Sequence, residues 1–264
     1  MGRREVLTSP ANPILKEVRR AIAHGGLTDD GYMVAETFHL LEEALRGNLE
    51  IKTVLAAESV HPAVRDRLPA QVRIRVTVVA DALFQKLAAT ESSQGVITLA
   101  RPPLWNLEDC LRAPGVVIVL DGLQDPGNAG AIVRAAEAFS ATGVLFTRGT
   151  VSPFNPKTLR ASAGSLFRVP FIHNLDVALA RSALQQRKFA VYAAMASEAE
   201  PPAAVNLTPN CALVIGSEAR GVSEQMRAGA IGLSIPTVGV ESLNAAVAAG
   251  ILLYEAQRQR SLRP

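Results

Sequence analysis

Cysteine, histidine and lysine are scarce in this 264-residue chain, and each scarcity closes off a class of chemistry. Cys110 and Cys211 stand far apart with no CxxC or Cys/His spacing, which argues against a disulfide framework or a zinc site and fits a reducing compartment. His24, His39, His61 and His173 show no i, i+4 pairing, so neither a metal site nor a histidine-based triad is expected. No segment reaches the roughly 18 continuous apolar residues of a membrane span. The N-terminal stretch MGRREVLTSPANP carries charge without an apolar signal core. A soluble, cytoplasmic protein is the expectation. Lysine occurs only at 16, 52, 86, 157 and 188 among 27 basic residues, so the mild positive balance (+3, pI near 9.1) is almost all arginine. Arginine suits planar recognition of phosphate and bases, and genome composition can produce the same bias.

What is present is ample apolar material, 48% of residues, enough for one large domain or two modest ones. Residues 12–24, NPILKEVRRAIAH, place Asn at an N-cap and Pro at the first helical position, before an apolar stripe of Ile14, Leu15, Val18 and Ile22. The other face shows Lys16, Arg19 and Arg20, and with Arg3 and Arg4 upstream it is a candidate phosphate-contact surface; the alternative is a solvated helix face. Strand and helix then alternate through YMVA, ETFHLLEEALRG, KTVLAA, VRIRVTVV, ADALFQKLAA and GVITLA, which predicts a small α/β domain over residues 1–100. The proline-bearing stretch 101–114 reads as a linker. From 115 to 264, GVVIVL, GVLFT, VPFI, FAVYAAM, CALVIG and IGLSIP read as strands buried on both faces, separated by Ala-rich helices. A mostly parallel sheet binds ligands beyond the carboxyl ends of its strands, so the loops there are where chemistry is sought.

Three such loops carry unusual residues. DGLQDPGNAGAIVR lacks the GxGxxG spacing and acidic ribose partner of a nicotinamide site. It offers Asn128, suited to cap the following helix, and Arg134 in that helix's second turn, which could simply pair with Glu137 three residues on. In LVIGSEARGVSEQM, two glycines bracket Ser217, Glu218, Ala219 and Arg220, and Glu218 is either a site carboxylate or a solvated turn residue. LSIPTVGVESLNAAVAAGILLYEAQRQR brings Ser242 and Asn244 to the mouth of a helix whose first turns are nearly all small. Gly250 inside that helix costs about 1 kcal/mol relative to Ala unless tight packing offsets it. Arg258 and Arg260 near the helix end complement its dipole.

Taken together, DPGNAGAIVRAAEAF, IGSEARGV and IPTVGVESLNAAVAAGILLYEAQRQR resemble the three ordered motifs of the SpoU/TrmH class of RNA ribose 2′-O-methyltransferases in the SPOUT superfamily, and FNPKTLRASAGSLFRVPF fits the region between them. SPANPILKEVRR, YMVAETFHLLEEAL and SSQGVITLA are similar, more weakly, to the substrate-binding domain that precedes many such catalytic domains. There Thr37 stands where a glycine commonly follows Glu36, and Ser93 where proline is common before Gln94. The resemblance implies an α/β architecture: a trefoil-knotted parallel sheet with flanking helices, preceded by a small α/β RNA-binding domain. It implies a homodimer through the C-terminal domain, S-adenosylmethionine as cofactor with Gly216, Ile235 and Leu243 as contacts, and no metal. Arg134 is the residue to which relatives assign activation of the hydroxyl. Asn128, Glu218, Ser242 and Asn244 fill the remaining motif positions.

The implied reaction is methyl transfer to a ribose 2′-hydroxyl of structured RNA. The extra N-terminal domain points to ribosomal RNA, 23S in particular, ahead of transfer RNA, in a housekeeping or an antibiotic-resistance role. The competing expectation is an RNA-binding module of the same fold without turnover.

Overall fold

The computed structural model describes residues 6–69, 73–88, 93–196 and 199–261, and Arg3 and Arg4 lie outside them. The chain divides into two compact units, Met1–Pro103 with Phe154–Phe167 and Leu104–Pro153 with Arg168–Pro264.

In the first unit the elements are β1 (Val6–Leu7), α1 (Pro13–His24), β2 (Met33–Glu36), α2 (Phe38–Arg46), β3 (Ile51–Ala57), α3 (His61–Arg67), β4 (Val76–Val79), α4 (Asp81–Gln85) and β5 (Val96–Ala100). The five strands lie in the order β1-β4-β3-β5-β2, parallel at β1, β4 and β3 and antiparallel at β5 and β2. Asn12 caps α1 by accepting from the Ile14 N–H at 3.1 Å, Pro13 opens the helix, and Gly25 ends it in the left-handed region. Leu15, Val18 and Ala21 of α1 bury one face of the sheet with Val34, Leu55, Ile97 and Leu99. Leu41 and Val64 cover Val54, Ala56 and Val96 on the other. The helix α3 gives no apolar periodicity in HPAVRDR, because only Val64 among its apolar side chains is buried. The VRIRVTVV stretch begins at Val72, outside the described residues, and pairs only from Val76.

The second unit contains α5 (Leu107–Cys110), β6 (Val116–Asp121), α6 (Pro126–Ala138) and β7 (Gly143–Thr147). The chain continues through α7 (Pro156–Ala161), which clusters with the first unit, and then β8 (Phe171–Leu175), α8 (Val177–Gln186), β9 (Ala190–Met195), β10 (Cys211–Gly216), α9 (Glu224–Arg227), β11 (Ile231–Ser234) and α10 (Ala245–Ser261). Six strands form a wholly parallel sheet in the order β11-β9-β10-β6-β7-β8. This is the parallel sheet that the continuous apolar strands led one to expect: β6, β7 and nearly all of β10 are buried along their length. Within the proline-bearing stretch after residue 100, an Asn106–Asp109 capping box starts α5, and Cys110 and Leu111 enter the core beside Val117, Leu145 and Val214. Burial pushes the Cys110 thiol up to about 12 and raises Cys211 as well, so neither is poised as a nucleophilic thiolate.

After the edge strand β11 the chain returns to the middle of the sheet, and α10 packs on α6 and β10. Arg260 does more than complement the helix dipole. Its guanidinium donates to the carbonyls of Leu207 (3.1 Å), Gly115 (3.0 Å) and Pro209, pinning the helix end to the loops that precede β6 and β10. Among the described residues, no helix is long and apolar enough to cross a membrane.

Candidate active site

Three strand-end loops of the second unit converge. The first follows β6, whose last residue, Asp121, is buried and accepts from the Ser223 N–H at 2.7 Å and from the Thr147 hydroxyl at 3.1 Å. That carboxylate ties the end of β6 to the loop after β10, and the sequence reading passed it over. The helix cap also differs from expectation. Asp125 caps α6, its Oδ1 accepting from the Asn128 N–H at 2.6 Å, because Pro126 takes the first helical position and moves the cap one residue upstream of it. Asn128 sits inside the first turn with its side chain free to reach across the loops.

The second loop is a tight return in which Ser217 and Gly221 exchange backbone hydrogen bonds at 3.1 and 2.8 Å. It leaves no room beside Gly216: a Cβ there would stand 2.0 Å from the carbonyl carbon of Gly221 and 2.2 Å from the Val222 nitrogen. Only glycine permits the strand end and the returning loop to run this close. The turn holds Glu218 where its Oε1 accepts from the Asn128 side-chain amide at 2.8 Å.

The third loop ends at Asn244, which caps α10. Its Oδ1 accepts from the N–H groups of Ala246 (2.9 Å) and Val247 (3.3 Å), and its amide group donates to Asn128 Oδ1 at 2.9 Å. These contacts have a single direction. The helix N–H groups can only donate, so Asn244 presents its oxygen to them and its NH2 to Asn128. Asn128 then presents its own NH2 to Glu218, whose Oε1 must accept. One end of the Glu218 carboxylate is committed, and the other can accept from a further hydroxyl.

Beside this row lies a cavity of about 470 Å³, within the range of small-molecule sites. Gly216, Ile235 and Leu243 line it with Glu218, Ser242 and Asn244; Asn128 and Arg134 are not among its lining residues. The remaining wall includes Met195 at the end of β9, together with Thr237 and Glu241, none of which the sequence reading singled out. The rule that ligands gather at carboxyl strand ends could have pointed to Met195, since it closes FAVYAAM. Thr237 and Glu241 lie in an irregular loop that carries no periodic signal. Arg134 is exposed on α6 and its side chain makes no hydrogen bond or ion pair among the described residues. The partner expected for it, Glu137, is held instead by the Arg168 guanidinium at 2.5 and 3.0 Å. Lys16, Arg19 and Arg20 are exposed on α1 in the first unit, Arg20 paired with Asp29 at 2.8 Å. No group of three or more His, Cys, Asp or Glu that could hold a metal ion occurs among the described residues.

Comparison with known proteins agrees with this architecture. Residues 115–254 match the SpoU rRNA Methylase family, and residues 12–98 match an MRM3-like substrate binding domain. An uncharacterized tRNA/rRNA methyltransferase of Synechocystis is 32% identical over 96% of this chain and 94% of its own length. The 23S rRNA (guanosine(2553)-2′-O)-methyltransferase RlmP of Bacillus subtilis is 29% identical over 94% of this chain and 97% of its own. Among solved structures, the AdoMet-bound rRNA methyltransferase of Sinorhizobium meliloti superposes with a TM-score of 0.79 at 25% identity, covering 98% of this chain and 99% of that one. With a matched region spanning more than half of its length, and a relative 32% identical along nearly the whole of both chains, the chain belongs to the SpoU rRNA methylase family.

Proposed function

We propose that this protein transfers a methyl group from S-adenosylmethionine to a ribose 2′-hydroxyl of structured RNA, with 23S ribosomal RNA the first candidate ahead of transfer RNA. The observation that carries the proposal is the directed row Asn244–Asn128–Glu218 beside the cavity. The cavity suits the cofactor: apolar side chains of Ile235, Leu243 and Leu252 face backbone-rich edges at Gly216 and Gly221, where an adenosyl group can be held by main-chain contacts. Bound there, S-adenosylmethionine supplies an electrophilic methyl group on a sulfonium.

The chain's residues then have separate tasks. Glu218 would accept a hydrogen bond from the 2′-hydroxyl through the oxygen that Asn128 leaves open, and would take up its proton. Arg134, whose guanidinium stays protonated, faces the developing negative charge on the oxygen, or the neighbouring phosphate, and lowers the cost of the alkoxide electrostatically. Asn128 and Asn244 are positioning residues that hold Glu218 in its accepting orientation. Ser242 borders the cavity at the start of α10 and helps orient the ribose. Alignment of oxygen, carbon and sulfur supplies much of the acceleration. Lys16, Arg19 and Arg20 contribute diffuse attraction for RNA.

A homodimer through the second unit is part of this proposal. Supporting it, α10 is apolar on both sides. Ala249, Leu252, Leu253 and Ala256 are buried within the chain, while Val247, Ile251 and Tyr254 are exposed, as is Val238 in the preceding loop. A Cβ at Gly250 would meet nothing within 4 Å, so the tight neighbour that a mid-helix glycine suggests is not this chain. The trefoil crossing belongs here too, supported by the return of α10 from the edge strand to the sheet centre. The domain division is proposed as a substrate-binding part over 1–100, a connector over 101–114 and a catalytic part over 115–264, supported by the two matched regions. A cytoplasmic site of action is consistent with two free, buried cysteines.

The deciding experiment is transfer of labelled methyl from S-adenosylmethionine to separated ribosomal and transfer RNA by wild type and Arg134→Ala. Label in the ribosomal pool that depends on Arg134 supports the proposal; binding of both cofactor and RNA without transfer points to the inactive module instead.

A further inference from the structure

A second cavity, of about 690 Å³, lies in the first unit, and no role for it follows from the reaction. Its walls come from β1 (Leu7), the cap and first turn of α1 (Asn12, Ile14), the start of β3, α3 and β4. The charges around it do not cancel. Lys52 is answered by Asp30 at 2.5 Å and Glu17 at 3.8 Å, so it contributes little net field. Arg65 and Arg75 are exposed and make no ion pair among the described residues; Arg65 Nε donates to the His61 ring at Nε2, 3.4 Å away. Among the described residues no carboxylate lines the cavity, so two guanidinium groups border a concave space in which no described anion meets them. The wall between them is mixed. Thr53 and Thr77 place their hydroxyls 3.2 Å apart across β3 and β4, while Leu7, Ile14, Val76 and Val78 give apolar surface. Such a pairing of forked cations with an apolar wall suits a phosphate and the nucleoside attached to it, and the volume admits a nucleotide rather than a bare ion.

We propose that this cavity is an RNA subsite: Arg65 and Arg75 take a backbone phosphate of the substrate RNA, and the apolar wall takes the sugar and base of an unstacked nucleotide. The site rests on the proposed RNA substrate, yet it is separable from the methyl-transfer chemistry because none of its residues belongs to the candidate active site. The occupant is a strand of RNA rather than a free nucleotide, since the cavity is open and its cations are solvent-exposed, which makes a lone small anion a weak ligand.

The test is filter binding of protein-free 23S ribosomal RNA to the full chain over a salt series. Wild type, Arg65→Gln/Arg75→Gln and a charge-matched control, Lys86→Gln/Lys188→Gln, are compared, with cofactor affinity and methylation kinetics measured on each. The expected result is at least about tenfold weaker RNA binding by the arginine pair variant and a log K against log salt slope shallower by about 1, because one phosphate is no longer neutralised. Its cofactor affinity and kcat stay at the wild-type level while KM for RNA rises. Equal weakening by the control pair, or no change of slope in the arginine pair, overturns the site and leaves the methyltransferase proposal standing. Conversely, a wild type that fails to methylate but binds RNA through Arg65 and Arg75 supports the site and removes the catalytic proposal.

Discussion

Asn128 donates to Glu218 across 90 residues of sequence at 2.8 Å, and the direction of that bond is set from the far side by the N-terminus of α10 acting through Asn244. The chain of donors makes Glu218 an acceptor whatever else occupies the site. Glu218→Gln can keep the bond through its amide oxygen while losing the charge and the capacity to take a proton. We expect kcat to fall by about 10²–10⁴, the usual worth of a positioned acid or base, with cofactor affinity unchanged. Asn128→Asp sets one carboxylate against another and removes the donor. Its loss of kcat should exceed that of Asn128→Ala, since it adds repulsion to the loss of the donor. A kcat for Glu218→Gln within a few-fold of wild type would remove Glu218 from the proton path.

Arg134 is exposed and unpaired among the described residues, so its replacement should leave folding nearly untouched, within about 0.5 kcal/mol for a surface side chain without special contacts. Any loss of activity then reads directly on chemistry or RNA contact. Arg134→Ala is expected to lower kcat by about 10²–10³, as for removal of a donor aimed at developing charge. Arg134→Lys separates the causes: retention of most of the rate means that charge suffices, whereas loss equal to that of alanine means that the planar fork is required. Single-turnover rates at saturating RNA measure this without the binding term.

Gly216→Ala should be among the most damaging small changes in the chain, because the added methyl would overlap backbone atoms of Gly221 and Val222 at 2.0–2.3 Å. Backbone cannot swing aside as a side chain can, so either the 217–221 turn opens or the strand end shifts. We expect a loss of about 1–3 kcal/mol or more of stability. Cofactor affinity should fall with it, since this turn lines the cavity. Thermal denaturation with and without S-adenosylmethionine checks both; wild-type melting and wild-type affinity together would mean that the close approach is not maintained in solution.

Much of this site was legible in the sequence because it is built from loops bracketed by regular elements. Unbroken apolar strands announced the parallel sheet, and the polar residues at their ends announced where to look. Asp121 was not legible: it ends an apolar strand and looks like a turn residue, and only the fold shows it bonded to Ser223 and Thr147. The cap of α6 was misassigned to Asn128 because Asp125 and Asn128 are both good capping residues, and Pro126 decides between them. Arg134 and Glu137 have ideal spacing for a helix pair, yet Arg168, 31 residues on, takes Glu137. Long-range competition of this kind leaves no trace in local spacing.

Thr37, where the family resemblance led to an expectation of glycine after Glu36, occupies φ 140°, ψ 156°, a region that suits glycine and strains other residues. It is held there as the N-cap of α2, its hydroxyl accepting from the Leu40 N–H at 3.1 Å. Strain of this type costs on the order of 1–3 kcal/mol, whereas exchanging a threonine cap for glycine costs only a few tenths and the looser unfolded chain about 0.4–1. Thr37→Gly should therefore stabilise the protein by about 1 kcal/mol. Thr37→Ala keeps the strain and loses the cap, and should destabilise it by about 1 kcal/mol. Denaturant midpoints of the two variants must move in opposite directions for this account to stand.

Glu50 gives the first unit a predictable acid weakness. Arg101 holds its carboxylate with Nε–Oε2 at 2.7 Å and Nη2–Oε1 at 3.1 Å, and the Tyr32 hydroxyl donates to Oε1 at 2.6 Å. The Arg101 bond foremost, then the Tyr32 bond, lowers the Glu50 pKa from 4.5 to about 2. Because the folded value lies below the unfolded one, the unfolded chain takes up this proton first as pH falls. The stabilisation is complete above about pH 5 and drains away between the two values as the pH drops toward 2. Glu50 is solvent-exposed, so salt should reduce the effect. Melting temperatures measured from pH 6 down to about pH 2 should fall less steeply in Glu50→Gln than in wild type, with the two curves converging at the acid end. Parallel curves would mean that the ion pair seen between Glu50 and Arg101 contributes nothing to folding.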